Sequence, residues 1–222
     1  MDIQLYFETS GEGFPLILLH GNGEDGTYFQ HQLPVLSKMY KVFAVDTRGH
    51  GKSPRGTAAF SIEQFADDLY AFMQKQGIHK AHLLGFSDGG NIALTFALKH
   101  PEKVEKLILN GANLYPTGMK IGVYLSVCAE YAVALLCRNR QQMELTNLML
   151  RYPQIRPGSL ASIHCPVLVI AGPKDMIRNN HTRLIARSLP NCRLVLIKGD
   201  HFIASKEPEA FNRAAMSFLK AE

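Results

Sequence analysis

Short apolar runs recur along this chain, separated by turns and by stretches of helical periodicity. Leu16 to Leu19, Lys41 to Val45, His82 to Phe86, Val104 to Leu109 and Cys165 to Gly172 are each four to eight residues long. They are apolar at odd and even positions alike, as expected of strands covered on both faces rather than half-solvated ones. Between them lie helical patterns. Ser61 reads as an N-cap with Gln64 completing a capping box, and Ile62, Phe65, Ala66, Leu69 and Phe72 fall on one face behind it. Gly77 ends that pattern, and a further one runs through Phe29, Leu33, Val35 and Leu36. Ile3 to Thr9 alternates as a strand; Asn180 to Ser188 and Glu209 to Lys220 read as helices around a last strand, Arg193 to Ile197. Strand alternating with helix predicts an α/β fold with a mainly parallel central sheet and helices on both faces. The rhythm breaks once, from Tyr115 to Ser162, where two helical stretches occur without a strand. The expectation is one domain over 1–222, with 115–162 a small helical cap inserted after the strand at 104–109. A chain of 222 residues is large enough for one sizeable core.

One strand-to-helix junction carries chemistry. Gly85-Phe86-Ser87-Asp88-Gly89 sets a serine between glycines two residues away on either side, the spacing of a nucleophile elbow. A serine at so sharp a turn adopts a sparsely populated backbone conformation costing on the order of 1–3 kcal/mol. The flanking positions must lack side chains for the backbones to pass closely. What results is an exposed hydroxyl above the sheet, with the next backbone N–H at a helix N-terminus aimed at developing negative charge. The pentapeptide alone also fits an ordinary glycine-rich turn.

Serine needs a base to take its proton and a third group to orient that base, in the chain order serine, acid, histidine. Asp175 and His201 each follow the end of a predicted strand, where catalytic groups of parallel sheets collect. His164 precedes a strand and His181 lies in a helix, which makes them poorer candidates, and Asp200 reads as a turn residue. An oxyanion hole requires a backbone donor from the loop after the strand ending at His20, so Asn22 is expected to act with Asp88. His20 reads as a brace for that loop.

The chain resembles the α/β-hydrolase fold family over nearly its whole length. The resemblance rests on His20-Gly21-Asn22-Gly23, Asp46 to Ser53, Gly85 to Gly90, Ala171 to Asp175 and Gly199-Asp200-His201, in that order. The elbow Ser87-Asp88-Gly89-Gly90 and the block Asn110 to Tyr115 are similar to the biphenyl-hydrolase-like and valacyclovirase branch. The insertion departs from that branch, being short and without tryptophan. Asp88 has two readings: a carboxylate favoured by the helix dipole, or, as the resemblance implies, an anion that binds a substrate ammonium. Tyr124 and Tyr131, with Met119, Met143 and Met149, either line a pocket under the cap or pack its helices together. Asp46, Arg48 and Ser53 are expected to brace their loop.

Composition narrows the function. Lys and Arg exceed Asp and Glu by 24 to 19, but the basic residues are scattered, which argues against a nucleic-acid face. No apolar run reaches the roughly 20 residues of a membrane span, and no basic segment leads into an apolar one at the start. Cys128, Cys137, Cys165 and Cys192 show no ligand spacing, so no metal is expected and the thiols read as reduced, in a cytoplasmic protein. Gly21-x-Gly23-x-x-Gly26 followed by Asp46 imitates a dinucleotide fingerprint. Tyr28, Phe29 and Pro34 crowd the helix where that motif wants small residues. The expectation is a cofactor-free serine hydrolase, carboxylesterase-like, acting on a small ester, thioester or activated amide, as a monomer or homodimer. Carbon–carbon bond hydrolysis, perhydrolysis and a ligand-sensing role are compatible with the same residues.

Overall fold

Alternate residues of the central strands enter two separate cores. Leu16 and Leu18 go to one side of the sheet with Val42, Leu84, Ile108 and Leu168; Ile17 and Leu19 go to the other with Phe43, Leu83, Leu107 and Val167. This is why the runs are apolar throughout.

The computed structural model describes residues 2–221. The strands are β1 (Phe7–Ser10), β2 (Phe14–Leu19), β3 (Tyr40–Val45), β4 (Ala81–Phe86), β5 (Val104–Asn110), β6 (Val167–Ala171) and β7 (Cys192–Leu196). The α-helices are α1 (Leu33–Leu36), α2 (Ile62–Lys75), α3 (Asp88–Lys99), α4 (Ile121–Leu136), α5 (Arg140–Arg151), α6 (Asn179–Ser188), α7 (Ile203–Lys206) and α8 (Pro208–Lys220). The sheet order is β1-β3-β2-β4-β5-β6-β7, with β1 antiparallel to β3 and every other pairing parallel. α2 and α3 pack on one face and α8 on the other. No described helix is long and apolar enough to cross a membrane.

Two boundaries move from the sequence reading. Ile3 and Leu5 are buried, but pairing with β3 begins only at Phe7. The helical pattern through Phe29 to Leu36 resolves into a 3-10 turn at Gly26–Phe29 and the single turn of α1. Pro34 explains the break, because proline has no N–H to continue an earlier helix but suits a first turn. Half of the expected capping box forms: the Ser61 hydroxyl accepts from Gln64 N at 3.2 Å, while the Gln64 side chain donates to Asp68 Oδ1 at 3.1 Å.

The loop after β3 is held by buried charge. Arg48 has no exposed surface, donates through Nε and Nη2 to both oxygens of Asp68 on α2 at 2.7 Å, and pairs with Asp2. Asp46 Oδ1 accepts from Gly26 N and Oδ2 from Lys52 N, both at 2.8 Å. Both oxygens are therefore committed, one within the loop and one to the Gly26 turn after β2. Removing one partner of a buried pair leaves an uncompensated charge, at a cost of about 3–5 kcal/mol. Arg48→Ala should lower unfolding free energy by that amount in urea titration. A loss below about 1 kcal/mol would mean that Asp68 is solvated once its partner is gone.

Candidate active site

At the end of β4 the chain turns so tightly that side chains are excluded. A Cβ on Gly85 would stand 2.2 Å from Gly89 O, and one on Gly89 would stand 2.0 Å from Leu19 O. Between them Ser87 takes φ 52°, ψ −119°, a conformation side-chain-bearing residues rarely adopt. Its N–H donates to Asn110 O at the end of β5 at 2.8 Å, tying the turn to the neighbouring strand.

Asp175 and His201 reach the same edge of the sheet from the loops after β6 and β7. Both are buried, and His201 Nδ1 lies 2.7 Å from Asp175 Oδ1, which also accepts from Ile177 N at 2.9 Å. A carboxylate can only accept, so Nδ1 carries the proton and Nε2 is left as the basic nitrogen. Tyr28 stacks on Phe86 at 4.2 Å, and Phe86 meets the His201 ring at 4.8 Å. Gly111 closes the opposite side at φ 66°, where a Cβ would come within 2.6 Å of His201 Cε1. The imidazole is thus confined from both sides. Asp200 accepts from Phe202 N and pairs with Lys206, as a turn residue would.

The loop after β2 is braced by several polar contacts. His20 Nδ1 donates to Gly21 O at 2.7 Å, and Nε2 accepts from Thr47 N at 3.0 Å. Burial, with His50 nearby, pushes His20 down to about 3, so it stays neutral and structural. Glu24 Oε2 accepts from Gly21 N at 3.0 Å. The Asn22 side chain donates to Asp88 Oδ2 and to Leu145 O on α5, each at 2.9 Å. Asp88 Oδ1 accepts from Asn91, which exchanges two hydrogen bonds with Asn113. The backbone N–H groups of Asn22 and Asp88 have no partner among the described residues.

Ser87 and His201 line one cavity of about 330 Å³ together with Asn22, Glu24, Phe86 and Phe202. Its roof comes from α4 and α5: Glu130 of α4 and Gln142, Leu145, Thr146 and Met149 of α5. Two carboxylates, Glu24 and Glu130, face this space, and no lysine or arginine lines it. Burial pushes Glu24 up to about 7, against the Gly21 N–H and His201.

A model of the alpha/beta hydrolase fold matches residues 15–125, the stretch holding the loop after β2 and the tight turn at Ser87. The chain belongs to the α/β-hydrolase fold family. The putative carbamate hydrolase RutD of Caulobacter sp. (strain K31) is 30% identical to this hydrolase over 258 residues, covering 98% of the chain and 96% of the relative. Human serine hydrolase BPHL is 29% identical over 247 residues, covering 98% and 84%. The putative non-heme bromoperoxidase BpoC of Mycobacterium tuberculosis H37Rv superposes with a TM-score of 0.85 at 22% identity, covering 99% and 96% of the two chains. That likeness speaks for the fold alone.

Not every residue expected at the site lies there. Asp88 is buried with both carboxylate oxygens engaged by Asn22 and Asn91, and does not line the cavity. Tyr124 lines a separate depression with Tyr115 and Leu150, and Tyr131 another with Arg140 and Met143. Both rings point away from the serine because the inner edge of α4 is given to Val127 and Ala134, which are buried, and to Glu130. Met149 is at the cavity and Met143 is not. In the mimic of a dinucleotide fingerprint, Asp46 has no free oxygen for a ribose. Glu24, Met176, which lines the cavity beside His201, and Gly111, which packs against the His201 ring, have no functional reading from the sequence. A carboxylate directly after the His-Gly-Asn-Gly turn was the signal that could have found Glu24.

Two predictions follow from this packing. Gly111→Ala should displace the His201 ring while leaving the fold intact, abolishing the downfield Nδ1 proton resonance of the Asp175 hydrogen bond; an unmoved resonance would mean the loop yields instead. Glu24 retains a proton that the unfolded chain releases between about pH 4.5 and 7, so its contribution to stability falls as pH rises through that window. Glu24→Gln keeps the acceptor for Gly21 and removes the charge. Its melting temperature should exceed that of the wild type above pH 7, with the margin shrinking toward pH 4; a pH-independent margin would show that Glu24 titrates normally.

Proposed function

We propose that this hydrolase cleaves a small ester, thioester or activated amide by acyl transfer through Ser87. The single observation carrying the reading is the 2.7 Å contact that orients His201 on Asp175 while His201 and Ser87 share one cavity. In this reading His201 Nε2 takes the serine proton as Oγ attacks the carbonyl, and Asp175 steadies the imidazolium. The oxyanion rests on the backbone N–H groups of Asn22 and Asp88, each such donor contributing roughly 10²–10³ in rate. His201 then protonates the leaving group and activates water for deacylation. The reaction needs no cofactor. A serine hydrolase and a carbamate hydrolase among the relatives favour this chemistry.

Asp88 enters this mechanism through its backbone and through Asn22. By holding the Asn22 side chain it sets the loop that carries the other oxyanion donor. The segment 115–162 serves as a cap, since α4 and α5 supply the roof of the cavity and α5 is tied down by Asn22 and by the Arg55–Glu144 pair. Glu130, joined by Glu24 above about pH 7, disfavours anionic substrates and favours neutral or cationic ones.

A fluorophosphonate probe tests the assignment. Intact mass spectrometry should show one adduct on the wild type and none on Ser87→Ala. Asp175→Asn should lower kcat toward p-nitrophenyl esters by about 10⁴. Labelling without turnover on esters and thioesters would redirect the reading to a ligand sensor; failure of the folded wild type to label would overturn it.

A further inference from the structure

We propose that the outer face of α4 docks on an anionic lipid membrane. Five of the nine large apolar side chains exposed among the described residues belong to this one helix: Ile121, Leu125, Val133, Leu135 and Leu136. Ile121 is 72% and Leu136 83% exposed, and the others are more than half exposed. Ile121, Leu125, Ala129, Ala132 and Leu136 follow one another at steps of three or four, a single stripe along the roughly 24 Å of a 16-residue helix. The opposite face, through Val127 and Ala134, is buried. α4 is therefore apolar on both sides, which a helix bounded by water on one side ordinarily is not.

Charge identifies the occupant. Lys120 immediately precedes the helix, Arg138 stands two residues beyond its end and Arg140 opens α5, all exposed. Arg140 reaches only Glu144, at 3.5 Å, and Glu144 is already held bidentately by Arg55. The sole acidic residue of α4, Glu130, accepts from Ser126 and turns toward the cavity edge. An apolar stripe with cations at both ends matches a surface that is apolar within and anionic at its boundary. A second copy fits poorly. Antiparallel pairing of two α4 helices sets Lys120 against Arg138, and parallel pairing sets each cation against itself. Five large side chains also fall well short of the roughly 20–30 residues a stable interface presents on each side. Sixteen residues are too few to span a bilayer. Lying on the membrane is the remaining geometry, and the absence of a span in the sequence does not bear on it.

Docking would place the cavity roof at the interface, because Glu130 of the same helix lines the space above Ser87. The binding itself does not rest on the acyl-transfer reading.

Cosedimentation of the full chain with sucrose-loaded vesicles tests the proposal. Phosphatidylcholine–phosphatidylglycerol vesicles should bind at least tenfold more tightly than phosphatidylcholine alone, and high salt should narrow the gap. Leu125→Ser with Leu136→Ser should weaken binding to anionic vesicles by at least tenfold. Arg138→Gln with Arg140→Gln should remove most of the preference for anionic lipid. All four side chains are exposed, so the variants should keep the wild-type circular dichroism, fluorophosphonate labelling and turnover of a water-soluble ester. Equal binding to both vesicle types, or none by the folded wild type, would overturn the proposal. So would a dimer in sedimentation equilibrium that Leu136→Ser dissociates, which would assign the face to a second copy.

Discussion

Three backbone segments pass within contact distance where β2 and β4 end and α3 begins, and the site depends on that passage. Gly89 lies against the carbonyl of Leu19 and Gly85 against that of Gly89, so neither position has room for a methyl group. The same crossing holds Ser87 in its strained conformation, which local chain energetics oppose and the surrounding packing over-determines. Parallel strands pinned by two buried cores supply the necessary rigidity. With Leu19 and Gly85 paired in adjacent strands, the loop carrying Asn22 and the turn carrying Ser87 leave the sheet side by side.

The loops above this crossing are ordered mainly by polar groups that have exchanged water for protein partners. His20 uses both ring nitrogens and Asp46 both carboxylate oxygens, while Arg48 spends its guanidinium on two aspartates. Each contact adds little net free energy when made, but leaving a buried group unpaired is costly. Such loops are therefore all-or-none structures: they hold Asn22, Glu24 and Asp88 to fixed positions or lose the arrangement altogether.

The pair α4–α5 is less tightly specified. α4 and α5 pack on each other, and Asn22 to Leu145 and Arg55 to Glu144 fasten α5 to the body. α4 has no comparable polar tie among the contacts described, and much of its apolar surface faces outward. The roof thus combines an anchored helix with one whose outer face is unsatisfied. Glu130 of α4 connects that face to the cavity.

The residues alone determined the class of fold, and they put Ser87 at a tight strand-to-helix turn with Asp175 and His201 as candidates at later strand ends. Short runs apolar at both parities demand a sheet covered on both sides, and the glycines around Ser87 announce a close backbone passage. Asp175 and His201 were legible because parallel sheets deliver such groups at strand ends. Local pattern could not say where side chains point once helices pack. Tyr124 and Tyr131 have the composition of pocket residues, yet the orientation of α4 sends them elsewhere. Asp88 resembles a free anion until Asn22 and Asn91, from different elements, occupy its oxygens. Gly111 looks like any turn glycine until His201, 90 residues further along the chain, is set against it. Glu24 acquires its raised pKa through burial in the folded chain, with the neighbouring Asp25 adding to it. These features arise from contacts between distant segments, which periodicity and spacing do not encode.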